Sequence, residues 1–172
     1  MKVCPEDFMI DTVDENDISI DAQGVATWEM NTTAPINGTY QGVFKLRTGI
    51  TPMQEIEADR DYRELLGKNT ELISSHIENL AYALTQLKQR VISGPPFWFD
   101  GISKFPGSQV RDKEIIEKVF EASVVAETKY RKMLQEKHKL SVEKLAKAIE
   151  MREQQEKEAQ EAETSRSKDK KD

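Results

Sequence analysis

The segment TYQGVFKLRTGITPMQEIEADRDYRELLG, residues 39–67, changes hydrophobic period partway along its length. Tyr40, Gly42, Phe44 and Leu46 alternate with Gln41, Val43, Lys45 and Arg47, the two-residue period of a strand with one buried face. From Thr51 onward the pattern is helical. Thr51, Pro52 and Gln54 supply an N-cap, a proline at the first helical position and the third-position amide of a capping box. Gly67 supplies the left-handed residue that ends such a helix. A strand handing over to a capped helix predicts an α+β chain.

Upstream, DISI, a turn at Ala22-Gln23-Gly24 and VATWEM read as two further strands, and Asn37-Gly38 marks the next turn. Pro35 makes that connection longer than two residues. Three strands with one apolar face need a cover. The helix that follows supplies it, through an expected stripe of Met53, Ile56, Ala58 or Tyr62, Leu65 and Leu66. Its charges fall four apart as Glu55/Asp59, Asp59/Arg63 and Arg60/Glu64, and are read as a solvated face. Linked by Gly67-Lys68-Asn69, a second helix is expected over Thr70–Ser93. Ile73, Ile77, Leu80, Leu84, Leu87 and Val91 step along one side of it, with Ala81 and Ala83 beside them. His76 beside this stripe is read as a packing residue. Gly94 and Pro95-Pro96 stop the helix.

A third helix is expected to begin near Asp112, with Ile116, Val119, Phe120, Ala126, Tyr130, Met133 and Leu134 on its apolar side. Leu145 and Ile149 continue a thinner seam beyond a possible bend at Lys139-Leu140-Ser141. After Met151 nothing more apolar than alanine appears. The expected organisation is an N-terminal arm (1–16), an antiparallel β-meander (17–48), a helical hairpin ending in a proline-aromatic loop (49–101), a long helix (102–151) and a charged tail (152–172). The tail has nothing to bury and is expected to be disordered.

Composition narrows the chemistry. The net charge is −6 with a pI of about 5.2, and no basic face gathers in the first hundred residues, so nucleic acid is not the expected ligand. Cys4 is the single cysteine, in the arm and without a neighbouring histidine, and His76 and His138 lie far apart. No run approaches the ~18 apolar residues of a membrane span, and the start of the chain lacks a secretory pattern, so a cytosolic protein is expected. Asn31-Thr32-Thr33 and Asn37-Gly38-Thr39 match the glycosylation pattern and are read instead as turn chemistry. Phosphate-cradling glycine loops, dinucleotide fingerprints, zinc-ligand pairs and nucleophile elbows are all missing. A non-enzyme without metal or cofactor is expected, its chemistry being recognition.

The candidate recognition element is VISGPPFWFDG, residues 91–101. Three consecutive aromatics in an irregular segment cannot all point one way. One or two of Phe97, Trp98 and Phe99 are expected in the core and the other at a partner surface, with Pro95 and Pro96 framing the contact. On this reading Trp98→Ala weakens association with little loss of helicity, and a collapse of the fold instead assigns the tryptophan to the core.

A strand-rich start, the Thr-Pro-capped helix TPMQEIEADRDYRELLG, the helix IENLAYALTQLKQRVI with its proline-aromatic exit, and a charged tail together resemble the tail assembly chaperones of long-tailed bacteriophages. The resemblance covers about Thr39–Gly101. It implies a protein of the infected bacterial cytoplasm that coats the tape measure protein, keeps it soluble and helps tail tube subunits polymerise around it. It also implies absence from the finished virion and, in many members, a longer form made by ribosomal frameshifting, for which Lys170-Lys171-Asp172 leaves room. Self-association is compatible with such a role. The alternatives are a structural virion subunit of a tail, connector or baseplate, and a coiled-coil adaptor working through residues 112–151.

Overall fold

A computed structural model describes residues 13–67, 73–101 and 103–168, with side chains described as far as residue 155 except at 153. Cys4 and the rest of the arm before Val13, residues 68–72 and the terminal Lys170-Lys171-Asp172 lie outside the described residues. The fold is α+β. Its elements are β1 (Ile18–Ile20), β2 (Val25–Ala34), β3 (Gly38–Arg47), α1 (Pro52–Leu66), α2 (Ser75–Arg90), β4 (Val91–Ser93), α3 (Pro96–Phe99) and α4 (Lys113–Lys168).

The sheet is antiparallel with strand order β1-β2-β3-β4. Asp21 shapes the first turn: its carboxylate accepts from the backbone N–H of Gln23 and Val25, and Gly24 closes the turn at φ 78°. The β2–β3 connection is the three-residue loop Pro35-Ile36-Asn37, with Gly38 at φ 78° where a left-handed residue is required. Asn31 lies within β2 and not in a turn, a correction to the sequence reading of Asn31-Thr32-Thr33. The expected faces hold. Ile18, Ala26, Trp28, Met30, Tyr40, Phe44 and Leu46 are buried on one side of the sheet, and Glu29, Gln41 and Lys45 face solvent on the other.

The cover is built differently from expectation. Ile115, Ile116, Val119, Ala122 and Ala126 of α4 join Ala83 and Leu87 of α2 in the core beneath the sheet. Lys129 ties α4 to the first strand by donating to the carbonyls of Glu15 (2.8 Å) and Ile18 (2.7 Å). Arg90 of α2 pairs with Glu127 of α4 at 2.7 Å, both side chains largely buried.

Helix α1 has the predicted start: Thr51 Oγ1 accepts from Gln54 N, and Gln54 Oε1 accepts from Thr51 N. Its buried face is Ala58 and Asp61, however, while Met53 and Ile56 are each 64% exposed. The expected stripe is thereby corrected. The small Ala58 lies on the α2 side, and Asp61 is neutralised there by Lys88 of α2, so a narrow polar-centred face outcompetes the wider apolar one. An edge-to-face series Tyr62–Tyr82–Phe120, with centroids 6.2 and 5.9 Å apart, runs from α1 through α2 to α4.

Two further expectations change. The second helix stops at Arg90, because Val91–Ser93 leaves it to pair with β3, making the meander four-stranded. Helix α4 is continuous from Lys113 to Lys168, with no interruption at Lys139-Leu140-Ser141, and takes in residues 152–168 of the charged segment. The strong helix propensity of that Glu-, Lys- and Ala-rich segment carries it on without a core.

The chain separates after Tyr130 into two compact units. The first contains the sheet, α1 to α3 and the opening turns of α4. In the second, Met133 is half-buried, and every other side chain described between Arg131 and Gln155 is exposed.

Candidate interaction site at the fourth strand

Strand β4 is an edge with a bulge: Lys45 pairs with Ser93 and Leu46 with Val91, leaving Ile92 as the extra residue. Val91 packs against the core, and the bulged Ile92 turns outward, 44% exposed. Gly94 follows in a tight place, since a Cβ there would stand 2.9 Å from the Phe44 ring. Pro95 crosses β3 at Gly42, where a Cβ would meet the proline ring at 2.5 Å. Glycine at 42 and 94 is therefore what allows the proline-aromatic segment to lie close against the sheet.

Pro96–Phe99 then makes a single helical turn, begun by Trp98 N donating to Pro95 O at 3.0 Å. The three aromatics separate. Trp98 is 0% exposed and meets Phe44 edge-to-face, centroids 5.3 Å apart. Phe97 is half-buried, edge-on to Tyr40 at 5.0 Å and to Phe44 at 6.4 Å. Phe99 remains 45% exposed beside Gly94. Pro95 is buried and Pro96 exposed. Of the five residues singled out by sequence, Phe99 and Pro96 are presented outward, Phe97 in part, and Trp98 and Pro95 support them from below. The expectation that Trp98→Ala spares the fold is corrected by this burial.

The segment after α3 folds back over the tryptophan. Gly107 N donates to Trp98 O at 2.7 Å, and a Cβ at Gly107 (φ 83°) would lie 2.6 Å from the indole. Lys104 anchors this return, 2.7 Å from Asp61 and 2.9 Å from Glu64 of α1, with Phe105 beneath its ammonium and that of Lys88. Burial alone would raise the Asp61 carboxyl, but Lys104 and Lys88 outweigh it and hold the group below the usual carboxylate range.

Asp112 locks the other end of the sheet. Its carboxylate accepts from Ile36 N (2.8 Å), Asn37 N (3.0 Å) and the Tyr40 hydroxyl (2.9 Å), clamping the β2–β3 loop to the start of α4. Burial pushes this carboxyl up, and the Ile36 amide, the Tyr40 hydroxyl and the Asn37 amide together pull it further down. Sequence reasoning missed Ile92, Lys104, Asp61 and Asp112. Each acts through a partner 27 or more residues away, which short-range periodicity does not register.

Other features are less site-like. A shallow polar depression of about 210 Å³ opens at the β2 edge between Val13, Asp17, Trp28, Glu29, Asn31, Thr32 and Lys118, away from the proline-aromatic turn. His76 is half-buried, its Nε2 3.4 Å from Lys113 Nζ. Among the described residues no group of three or more His, Cys, Asp or Glu is placed to hold a metal ion. Among them, too, no helix is long and apolar enough to cross a membrane. No family model, curated protein or solved structure matches the chain.

Proposed function

We propose that the chain is a non-enzymatic assembly chaperone of the phage-tail kind, which holds an apolar client segment of the tape measure protein at the β4–α3 edge. The observation that supports the reading is the position of exposed Ile92 and Phe99 beside a platform of buried Trp98 and Phe44 and half-buried Phe97. An exposed aromatic fixed from below loses little side-chain freedom on binding, which favours its use as an anchor. A client coated by many copies needs only weak contacts at each, because repetition along one filament multiplies them. Tail tube subunits would then be recruited to the coated client.

The test is co-expression with the tape measure protein and measurement of the client's soluble fraction. Intact chain is expected to keep the client soluble, and Ile92→Ser/Phe99→Ser to lose that effect while its own thermal unfolding is little changed. A client equally soluble with either chain would overturn the edge as the contact. Quantitative mass spectrometry of lysate against purified particles separates a transient chaperone, abundant only in lysate, from a virion subunit with fixed copy number.

A further inference from the structure

The β2–β3 loop carries a reactive pair that the sheet-edge reading does not use. Asn37 is exposed and is followed by Gly38, where a Cβ would meet nothing within 4 Å. A backbone nitrogen with no side chain beside it is the least hindered nucleophile a chain offers to an asparagine carboxamide. In the folded chain both reacting groups are engaged. Asn37 Nδ2 donates to the Tyr40 hydroxyl at 2.9 Å, and Asn37 N donates to Asp112 Oδ2 at 3.0 Å. Thr48 N donates to Gly24 O, and alternation along the same β2–β3 register makes Ala34 and Gly38 a hydrogen-bonded pair. The Gly38 nitrogen is thereby committed to the ladder.

We propose that Asn37-Gly38 is a site of spontaneous deamidation, that the Asp112 clamp holds it unreactive, and that the modification keeps the clamp from closing again. When the loop opens, the Gly38 nitrogen gives up its proton and attacks Asn37 Cγ. A C–N bond forms, the Cγ–Nδ2 bond breaks, and the amide nitrogen leaves as ammonia. Water then opens the cyclic imide at either carbonyl and leaves aspartate or isoaspartate at position 37. Neither product fits the clamp. The Tyr40 hydroxyl has one proton and donates it to Asp112 Oδ2 at 2.9 Å. A carboxylate at position 37 therefore meets an oxygen lone pair where Nδ2 stood, close to the Asp112 carboxylate. Isoaspartate also adds one atom to the main chain between the clamped Asn37 amide and Gly38.

The experiment incubates the full chain at neutral pH, folded and in urea. The peptide containing Asn37 is followed by mass spectrometry, with isoaspartate told from aspartate by electron-transfer fragmentation. Fast conversion in urea and slow conversion in the folded chain are expected. Tyr40→Phe and Asp112→Asn each weaken the clamp and should raise the folded-state rate at least about fivefold through a larger open fraction. Exchange of the Phe44 amide, which reports global opening, should rise less than that rate. In Asn37→Asp the Ile36 amide, bonded to Asp112 in the parent, should exchange faster. Equal rates in the folded chain and in urea overturn the proposal, as does an unreactive Asn37 in urea. A folded-state rate untouched by both substitutions, or raised only in step with Phe44 exchange, shows that the clamp is not the gate and overturns it too. Parent-level protection of Ile36 in Asn37→Asp overturns the claim that the modification keeps the clamp open.

Discussion

Helix α4 carries an apolar stripe along both of its halves, with opposite fates. Ile115, Val119, Ala122 and Ala126 in its first turns are fully buried under the sheet. Val142, Leu145 and Ile149 further along repeat the three- and four-residue steps and, like Leu134, are open to solvent. Periodicity therefore reports that a face is apolar, and long-range geometry decides whether anything covers it. Helix α1 repeats the lesson in miniature, with Met53 and Ile56 outside while Ala58 and Asp61 are inside.

Substitutions can break this contrast, beginning with the residue buried deepest in the proline-aromatic turn. Trp98→Ala removes an indole with no solvent contact, packed on Phe44 and Gly107. A loss of about 3–5 kcal/mol in urea-unfolding stability is expected, with collapse of the near-ultraviolet dichroism. Ile115→Ala in the covered half of α4 is expected to cost about 2–4 kcal/mol in the same measurement. Leu145→Ala in the open half, by contrast, should shift stability by no more than about 0.5 kcal/mol. Comparable losses from Ile115→Ala and Leu145→Ala would end the contrast.

Acid sharpens the picture at Asp112. Its folded carboxyl is held below the unfolded value, so the stability it contributes is complete above about pH 4. That contribution is lost as pH falls through the lower folded value. Asp112→Asn keeps the shape and removes the titration, so the variant's unfolding midpoint should fall less steeply with acid than that of the parent chain. Identical acid limbs would show that the clamp on Ile36, Asn37 and Tyr40 is not linked to protonation. Phe99→Ala, like Leu145→Ala, is expected to stay within about 0.5 kcal/mol of the parent by the same unfolding measurement. Its consequence is expected in client solubility.

Local chemistry was legible in the sequence where one short stretch holds both partners. Thr51 with Gln54, the turn at Ala22-Gln23-Gly24, and the alternation from Tyr40 to Leu46 all lie within a few residues, and the structure bears them out. The separation of the aromatic trio into supporting and exposed rings was legible in kind, because neighbouring side chains diverge in direction. Which ring went where was not, since Trp98 is held by Phe44 and Gly107 from two distant segments. Val91–Ser93 looked helical because Val91 continues the α2 stripe. Pairing with Lys45 and Leu46 diverted it into the sheet. Asp61 was hidden for a related reason: a carboxylate on a helix surface reads as solvated until Lys88 and Lys104 arrive to neutralise it.

The order in which the strands appear along the chain has a consequence during synthesis. Strands β1 to β3 are joined by tight turns and are complete once Arg47 has left the ribosome. Their apolar face stays uncovered until Ala83 and Leu87 of α2, then the segment bearing Val91 and Trp98, have followed, and the covering turns of α4 come later still. A nascent three-stranded sheet with bare Phe44, Tyr40 and Trp28 is a species prone to pairing with its neighbours on a polysome. Translation that stalls between β3 and β4 should therefore aggregate more than translation stalled after Ala126, making the interval from Arg47 to Ala126 the vulnerable window in this protein's biogenesis.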